Sequence, residues 1–521
     1  MENDNQNFSV EETVKSAEEI KQVTEGSAEE VFIPIEKVFY DSKTEYIKRM
    51  ILCGIYAIFF TICLYQNGRG ITYPMFAIAT IVVYVMFLKA VKEKIKAFSY
   101  VLMGFITLLS INVCTTMSTP LIVFDKLFIF ALFFIMFLYN LYDDKTWDAT
   151  RYFLACCATV TTAIAYVLDP ILDAVHLPKE KEEDGKEKKK NYTFLYVLLG
   201  LAISVPLLCV VLPLLLSSDI VFSNTMGKIF DFEWNADVFK CVLLAVFIFF
   251  VGYALLKRLY VRSDWMENPV SDKRKGNPVV SITISSVLLV FYGLYSGIQI
   301  VYLFMGYGTL PDGYTYADYA HEGFFQLVFV CIINLILVLL CRKFSRDNKV
   351  LKIMLTLICA CTYIMIFSSA YRMILYISVY GLTFLRVYVL WALTVIMLAM
   401  TGTVILIYME KMPFVKYSMV VLAATWIIFG YSHPDVIIAE YNINMGTGQI
   451  YVMEDLSDDA IPVVLKYQDS IYEKPMLQSY LINFEKKCRG YDISGYGDIR
   501  KFNFAEYKAY KAIIHGMHYI P

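Results

Sequence analysis

The stretch TYADYAHEGFFQL, Thr315 to Leu327, sets three ionisable side chains at the mouth of an apolar run. Asp318, His321 and Glu322 stand at i, i+3 and i+4, so on a helix they share one face. Such a face can line a pocket for a polar ligand or pair with a cation. Thr315 suits a helix cap, with Asp318 in the first turn where the helix dipole favours an acid. Tyr314, Tyr316 and Tyr319 suit the aromatic belt of a membrane interface, and Gly323 lets a neighbouring helix approach closely. The plainer reading of the same residues is a capped helix start with an aromatic girdle.

A second stretch, SSAYRMILYISVYGLTFLRVYVLW from Ser368 to Trp391, places Arg372 and Arg386 on either side of an apolar connector. An arginine at membrane depth is costly and normally has a partner or faces water. The expected arrangement is a cluster in which Arg372 or Arg386 pairs with Asp318 or Glu322. Its candidate members are Tyr316, Asp318, Tyr319, His321, Glu322, Arg372, Tyr376 and Arg386. Ion pairs that merely fix helix packing are the structural alternative. His515 and His518 form an H-x-x-H with no third ligand in sequence reach, which fits a solvated helix end better than a metal site. The chain has no HExxH, no GxxxxGK[ST], no GxSxG and no metal-spaced cysteine pair, so no metal or cofactor is expected and catalysis is not favoured.

The elements that must hold these residues follow from composition. The 521 residues are 58% apolar and only 18% charged, with a formal charge of −2 and a mean hydropathy of +0.55. A soluble chain carries about 25% charged residues. Apolar runs lie at about 50–65, 71–88, 98–116, 126–142, 151–167, 194–216, 238–256, 279–304, 323–341, 353–373, 387–408 and 417–432. Runs of about 20 residues cross a bilayer as helix. The fold class is therefore all-α, a polytopic transmembrane bundle whose main solvent partner is the lipid bilayer. With no basic domain, nucleic acid is excluded as a partner.

Lys and Arg in short loops mark the cytoplasmic side. The connectors after the second, seventh and ninth runs are basic, and the loops between them are not. All basic connectors share one side only if one run fails to cross. The run at 151–167 is short, begins with Arg151 and precedes the lysine-rich segment Lys179 to Lys190. Residues 151–175 therefore read as an interfacial or re-entrant segment, followed by a basic cytoplasmic loop at 176–193. About 11 spans result, or 12 in the alternative with both ends inside. The N-terminus is expected in the cytoplasm and the C-terminus outside, in a multi-pass protein of a bacterial cell membrane.

Residues 1–45 are acidic and polar, without a signal peptide's apolar core, and read as a disordered cytoplasmic tail. The membrane domain occupies 46–432. Residues 433–521 read as a small helical extramembrane region. In it Ser457 or Asp458 can cap LSDDAIPVVLKY, KPMLQSYLINFEKKCRG has helical period, and Asn503 can cap NFAEYKAYKAII. Too small for a secure core of its own, this region is expected to dock on the membrane part. Eleven of the twelve cysteines lie in apolar segments, which indicates packing residues rather than a disulfide framework.

Five separated stretches, PDGYTYADYAHEGFFQL, SAYRMILYISVYGLTFLR, VPLLCVVLPLLLSSDIVF, HPDVIIAEYNI and DLSDDAIPVVL, together resemble the bacterial polytopic membrane proteins of the domain-of-unknown-function 4153 and 4173 type. The resemblance runs from about Arg49 to Ile514. It implies a membrane protein without an established activity and supplies no catalytic residues. The family pattern implies arginine where this chain has His321.

Three function classes remain open. The favoured one is a non-catalytic sensor, accessory subunit or envelope-assembly component with a membrane-protein partner. The second is a transporter or flippase, although ionisable residues inside the runs are scarce. Asn112 and Asn334 are the polar exceptions, and Pro206 and Pro213 break the sixth run. The third is a membrane-embedded transferase for a lipid-linked substrate, resting on Asp219, Asp318 and Glu322.

Overall fold

The computed structural model describes residues 43–175, 236–263, 276–301, 324–445, 456–467 and 498–516, with a few single positions between them. The structure is a helical bundle. Helices α1 (Lys43–Leu64), α2 (Thr72–Ala90), α3 (Ala97–Thr115) and α4 (Thr119–Leu141) open the chain, followed by α5 (Ala149–Ala165) and α6 (Asp169–Val175). Next come α7 (Ala236–Val261), α8 (Pro278–Gln299), α9 (Phe324–Phe344), α10 (Lys349–Tyr380), α11 (Phe384–Tyr408) and α12 (Phe414–Tyr431). The short helices α13 (Pro434–Met445) and α14 (Ile461–Lys466) and the terminal α15 (Phe504–Gly516) complete the described chain. Among the described residues ten helices, α1–α4 and α7–α12, are long and apolar enough to cross a membrane, so the chain is a multi-pass membrane protein. The predicted run 194–216 lies almost wholly outside the described residues, as do residues 1–42 of the N-terminal tail, the basic loop 176–193 and most of 468–497.

Most helices overlie their apolar runs, and several extend beyond them; in two the reason is identifiable. Helix α4 begins seven residues before its run because Pro120 occupies the first turn, where a missing N–H costs nothing. Helix α10 has 32 residues, about 48 Å at 1.5 Å per residue, more than a bilayer core needs. It runs past Arg372 to Gly381, whose φ of 72° ends the helix in a backbone region only glycine enters freely.

The basic connectors all meet at one end of the bundle. Arg262, after α7, pairs with Glu93, after α2. Gly276 forms a backbone bridge with Ser345 between α9 and α10. Arg342 reaches Glu410 between α11 and α12 at 2.7 Å, and Lys416 reaches Asp144 at 2.8 Å. We call this the basic end. The opposite end carries the turns at 65–71, 116–118, 381–383 and 432–433.

Helix α5 has only 17 residues. Its N-cap Asp148 pairs with Lys343, while just past its other end the ring of Tyr166 lies 3.5 Å under the Arg258 guanidinium. Both partners belong to the basic end, so α5 lies across that end instead of running parallel to the ten long helices. Helix α6 is clamped there by Asp169 on Arg258 at 2.7 Å and by Asp173 on Lys257 at 2.7 Å. The Tyr46 hydroxyl of α1 donates to the Pro170 carbonyl at 2.8 Å.

The C-terminal segments dock on the opposite end. Asp459 accepts the Thr116 hydroxyl at 2.6 Å and the Met117 N–H at 2.7 Å. Asn503 caps α15 as its position predicts, accepting from Ala505 N at 2.9 Å. Its amide also donates to the carbonyls of Arg69 and Thr116. Ser457 does not cap its helix; its hydroxyl is drawn to Asp435 at 2.5 Å. Residues 474–490, expected to be helical, lie outside the described residues except for Ile482.

Candidate functional site

Of the sequence-predicted cluster, Tyr316, Asp318, Tyr319, His321 and Glu322 lie outside the described residues. Arg372, Tyr376 and Arg386 are described, and the structure brings the last two together. The Arg386 guanidinium sits 4.3 Å from the centre of the Tyr376 ring and donates to the carbonyls of Tyr380 and Gly381. These are open carbonyls at the end of α10, where the helix dipole favours a cation. Arg372 is buried, one turn before Tyr376 on the same helix. Both arginines stand at the end opposite the basic one.

Arg372 also tops a polar seam within the bundle. Every buried residue of α8 is polar: Ser281, Ser285, Ser296 and Gln299. At 100° per residue these four and Tyr292 fall within an arc of about 60°. The exposed side of α8 is mostly apolar, including Val287, Phe291 and Leu294, as suits a lipid-facing surface. Across the seam, Tyr292 donates to Asn334 of α9 at 2.7 Å, and Asn334 donates to Thr362 of α10 at 3.0 Å. Nearer Arg372, Ser368 donates to Gln299 at 2.6 Å. At the basic end Ser281 and Ser345 share a hydrogen bond of 2.6 Å. Three separate helices thus direct their polar groups at one another, where apolar packing would be the default.

A second polar centre was not legible as a run. Asp125 in α4 has no exposed surface. One carboxylate oxygen accepts the Trp426 indole N–H at 2.7 Å and the other the Asn112 amide at 2.8 Å. Counted from the nearest helix ends, the three residues lie about one to two turns inside the bundle. Trp426 is packed among Trp391, Phe124, Phe128 and Phe429, with ring centres 5.0–5.5 Å away. Gly430 is required there, since a Cβ would come within 2.4 Å of the Asn112 amide nitrogen. The adjacent Lys126 points to α2, over the ring of Tyr73. Asp125 escaped the sequence reading because the apolar run was counted from residue 126; the signal available was Ser118 and Pro120, which start a helix early enough to enclose it.

Among the described residues no three His, Cys, Asp or Glu side chains converge in a way that could hold a metal ion. The side chain of His515 and all of His518 lie outside the described residues. Both polar centres, together with α13 and α14, fall within residues 97–467, which match a family model described as Domain of unknown function (DUF4153). The chain belongs to this family. No curated protein and no solved structure matches it. The DUF4153 region excludes α1, α2 and α15, and these excluded parts contact one another: Ile71 N–H donates to the Phe502 carbonyl at 2.8 Å, and Asn67 donates to the Arg500 carbonyl at 2.7 Å. The DUF4153 helices therefore carry both candidate centres, and the flanking segments close over the end nearest to them.

Proposed function

We propose that this DUF4153 protein is a sensor, accessory subunit or assembly component of the cell envelope, without a chemical step of its own. Its basic end faces the cytoplasm, by the preference of Lys and Arg for that side. Helix α5 lies in the cytoplasmic interface with Phe153, Leu154 and Ile164, all exposed, facing lipid. The opposite end is extracytoplasmic. There it presents a platform made of the docked C-terminal region and the arginine-topped seam, with Tyr316, Asp318, Tyr319, His321, Glu322, Arg372, Tyr376 and Arg386 as recognition residues for a membrane-protein partner.

The observation that carries this reading is how the C-terminal region is held. Asp459 and Asn503 bind backbone groups of the turns at 69 and 113–117 through directional hydrogen bonds. A recognition surface needs that fixed geometry; a mere tether does not.

The test is photo-crosslinking in intact cells with a reactive residue at exposed Ile499. A discrete protein adduct, weakened by Asp459→Ala while the membrane domain stays folded, supports the reading. Adducts with lipid alone overturn it. Thiol labelling that found position 318 and the connector 257–275 open to the same compartment would overturn the orientation. A transporter is the second reading, favoured by the polar seam, and solute flux in proteoliposomes would put it first.

A further inference from the structure

Two hydroxyls in the upper half of the seam have no hydrogen-bond partner among the described residues. Ser296 is 5% exposed and Ser369 is 0% exposed, and in each the oxygen is fully enclosed. A buried hydroxyl left unbonded costs about 1–3 kcal/mol, and serine in a helix can usually avoid this by bonding the preceding turn. Both sit among polar groups of neighbouring turns. Ser296 lies one turn from Tyr292 and one from Gln299 on the buried stripe of α8. Ser369 shares the face of Thr362 on α10, two turns on. Around them are Asn334, Thr362, Tyr292, Gln299 and Ser368, already linked in pairs across three helices.

Close helix packing through small residues would explain serines alone. It does not explain Asn334, Gln299 and Tyr292, which are large and polar, on the same line. Nor does the membrane setting call for them, because the lipid side of α8 is apolar throughout the same turns.

The line does not continue to the basic end. Between Asn334 and the Ser281–Ser345 pair the packing is apolar: Val338, Leu355 and Ile358 are buried there, with Leu289 and Leu335 packed against them. Ser285, whose enclosed hydroxyl also has no partner among the described residues, lies beyond this layer, one turn from Ser281 and cut off from the upper groups.

We propose that the seam from Arg372 down to Asn334 is a hydrated half-channel. Water enters from the end that carries Arg372, bonds the hydroxyls of Ser369 and Ser296, and stops at the layer of Leu289, Leu335, Val338, Leu355 and Ile358. Buried water typically takes two to four polar partners, and the seam supplies them from α8 and α10 between Arg372 and Ser296 and from all three helices at the level of Asn334. Such a file would give protons or small uncharged polar solutes a path to mid-membrane from one side only. The proposal does not rest on the partner reading above.

Two native methionines report on it. Met365 lies on the buried face of α10 between Thr362 and Ser368, where it also packs with Phe324, Leu327 and Cys331, and is 2% exposed; Met400 lies in the apolar layer nearer the basic end and is 0% exposed. Hydroxyl-radical footprinting of the full-length protein in lipid nanodiscs forms radicals only where water is. We expect Met365 to be oxidised about tenfold faster than Met400. Ser369→Leu, which fills the line, should bring Met365 down to the rate of Met400 and leave Met400 unchanged. Equal rates in the unaltered protein overturn the proposal, and that comparison stands even if the leucine variant fails to fold.

Discussion

The carboxylate of Asp125 accepts the indole N–H of Trp426 across 301 residues of sequence. This bond, with the second to Asn112, ties α3, α4 and α12 together inside the membrane domain. All three groups are neutral donors or a carboxylate, and each is buried, so none can be exchanged for water without opening the bundle.

Removing the acceptor is therefore expected to be costly. Asp125→Ala leaves the Trp426 N–H and the Asn112 amide unbonded, each worth about 1–3 kcal/mol. Asp125→Asn keeps an oxygen for Trp426, and Asn112 can turn its amide to accept the new N–H. Melting temperatures in detergent should fall in the order unaltered, Asn, Ala. An alanine variant as stable as the parent would remove the structural role assigned to this centre.

Gly430→Ala should destabilise by about 1–3 kcal/mol, the usual range for overpacking, because the added Cβ falls 2.4 Å from the Asn112 amide. The double variant Asn112→Ala with Gly430→Ala makes room for that Cβ. It should recover part of the Gly430→Ala loss relative to Asn112→Ala alone. Strict additivity of the two effects on the melting temperature would contradict the contact.

Docking of the C-terminal region should depend on pH in two phases. Arg500 donates to Asp498 at 2.6 and 2.7 Å and holds its carboxyl below the usual range. That contribution is present above the ordinary aspartate value of about 3.9 and is lost as pH falls through the depressed one. Asp435 behaves oppositely. Burial raises its carboxyl despite the hydroxyls of Ser457 and Ser118, with Asp459 nearby raising it further, so its cost to docking diminishes as pH falls toward the ordinary range. Hydrogen-exchange protection of residues 499–514, taken relative to the intrinsic rate at each pH, should rise slightly on mild acidification, then fall at lower pH. Asp498→Asn should abolish the second phase and keep the first.

The pairing inferred for Arg372 has its own test. Arg372→Glu and Glu322→Arg should each lower stability, and the double reversal should restore much of the loss, as coupled charges do. Independent effects in the melting curves would remove the pair from the proposed recognition surface.

Much of this architecture could be read without coordinates. The long apolar helices, the common end of the basic connectors and the cap at Asn503 follow from hydropathy, charge and short-range spacing, which act within a few turns. The candidate site was legible only in part. Arg372, Tyr376 and Arg386 stood out because a cation in an apolar run is conspicuous, and Asn112 and Asn334 because an amide is. Ser285, Ser296 and Ser369 did not stand out, since a serine within an apolar run looks like any tolerated small residue.

What the sequence by itself determined is the solvent of the protein: hydrocarbon around ten described helices, with lysines and arginines gathered where crossing would be prohibitive. What only the tertiary structure decided is which polar groups face each other. Asp125 meets Trp426, Asn334 meets Thr362 and Gln299 meets Ser368 because helix packing rotates each one inward. No local rule contains that rotation: in lipid, apolar surfaces are alike on every side of a helix, so the partner that satisfies a buried polar group selects the face.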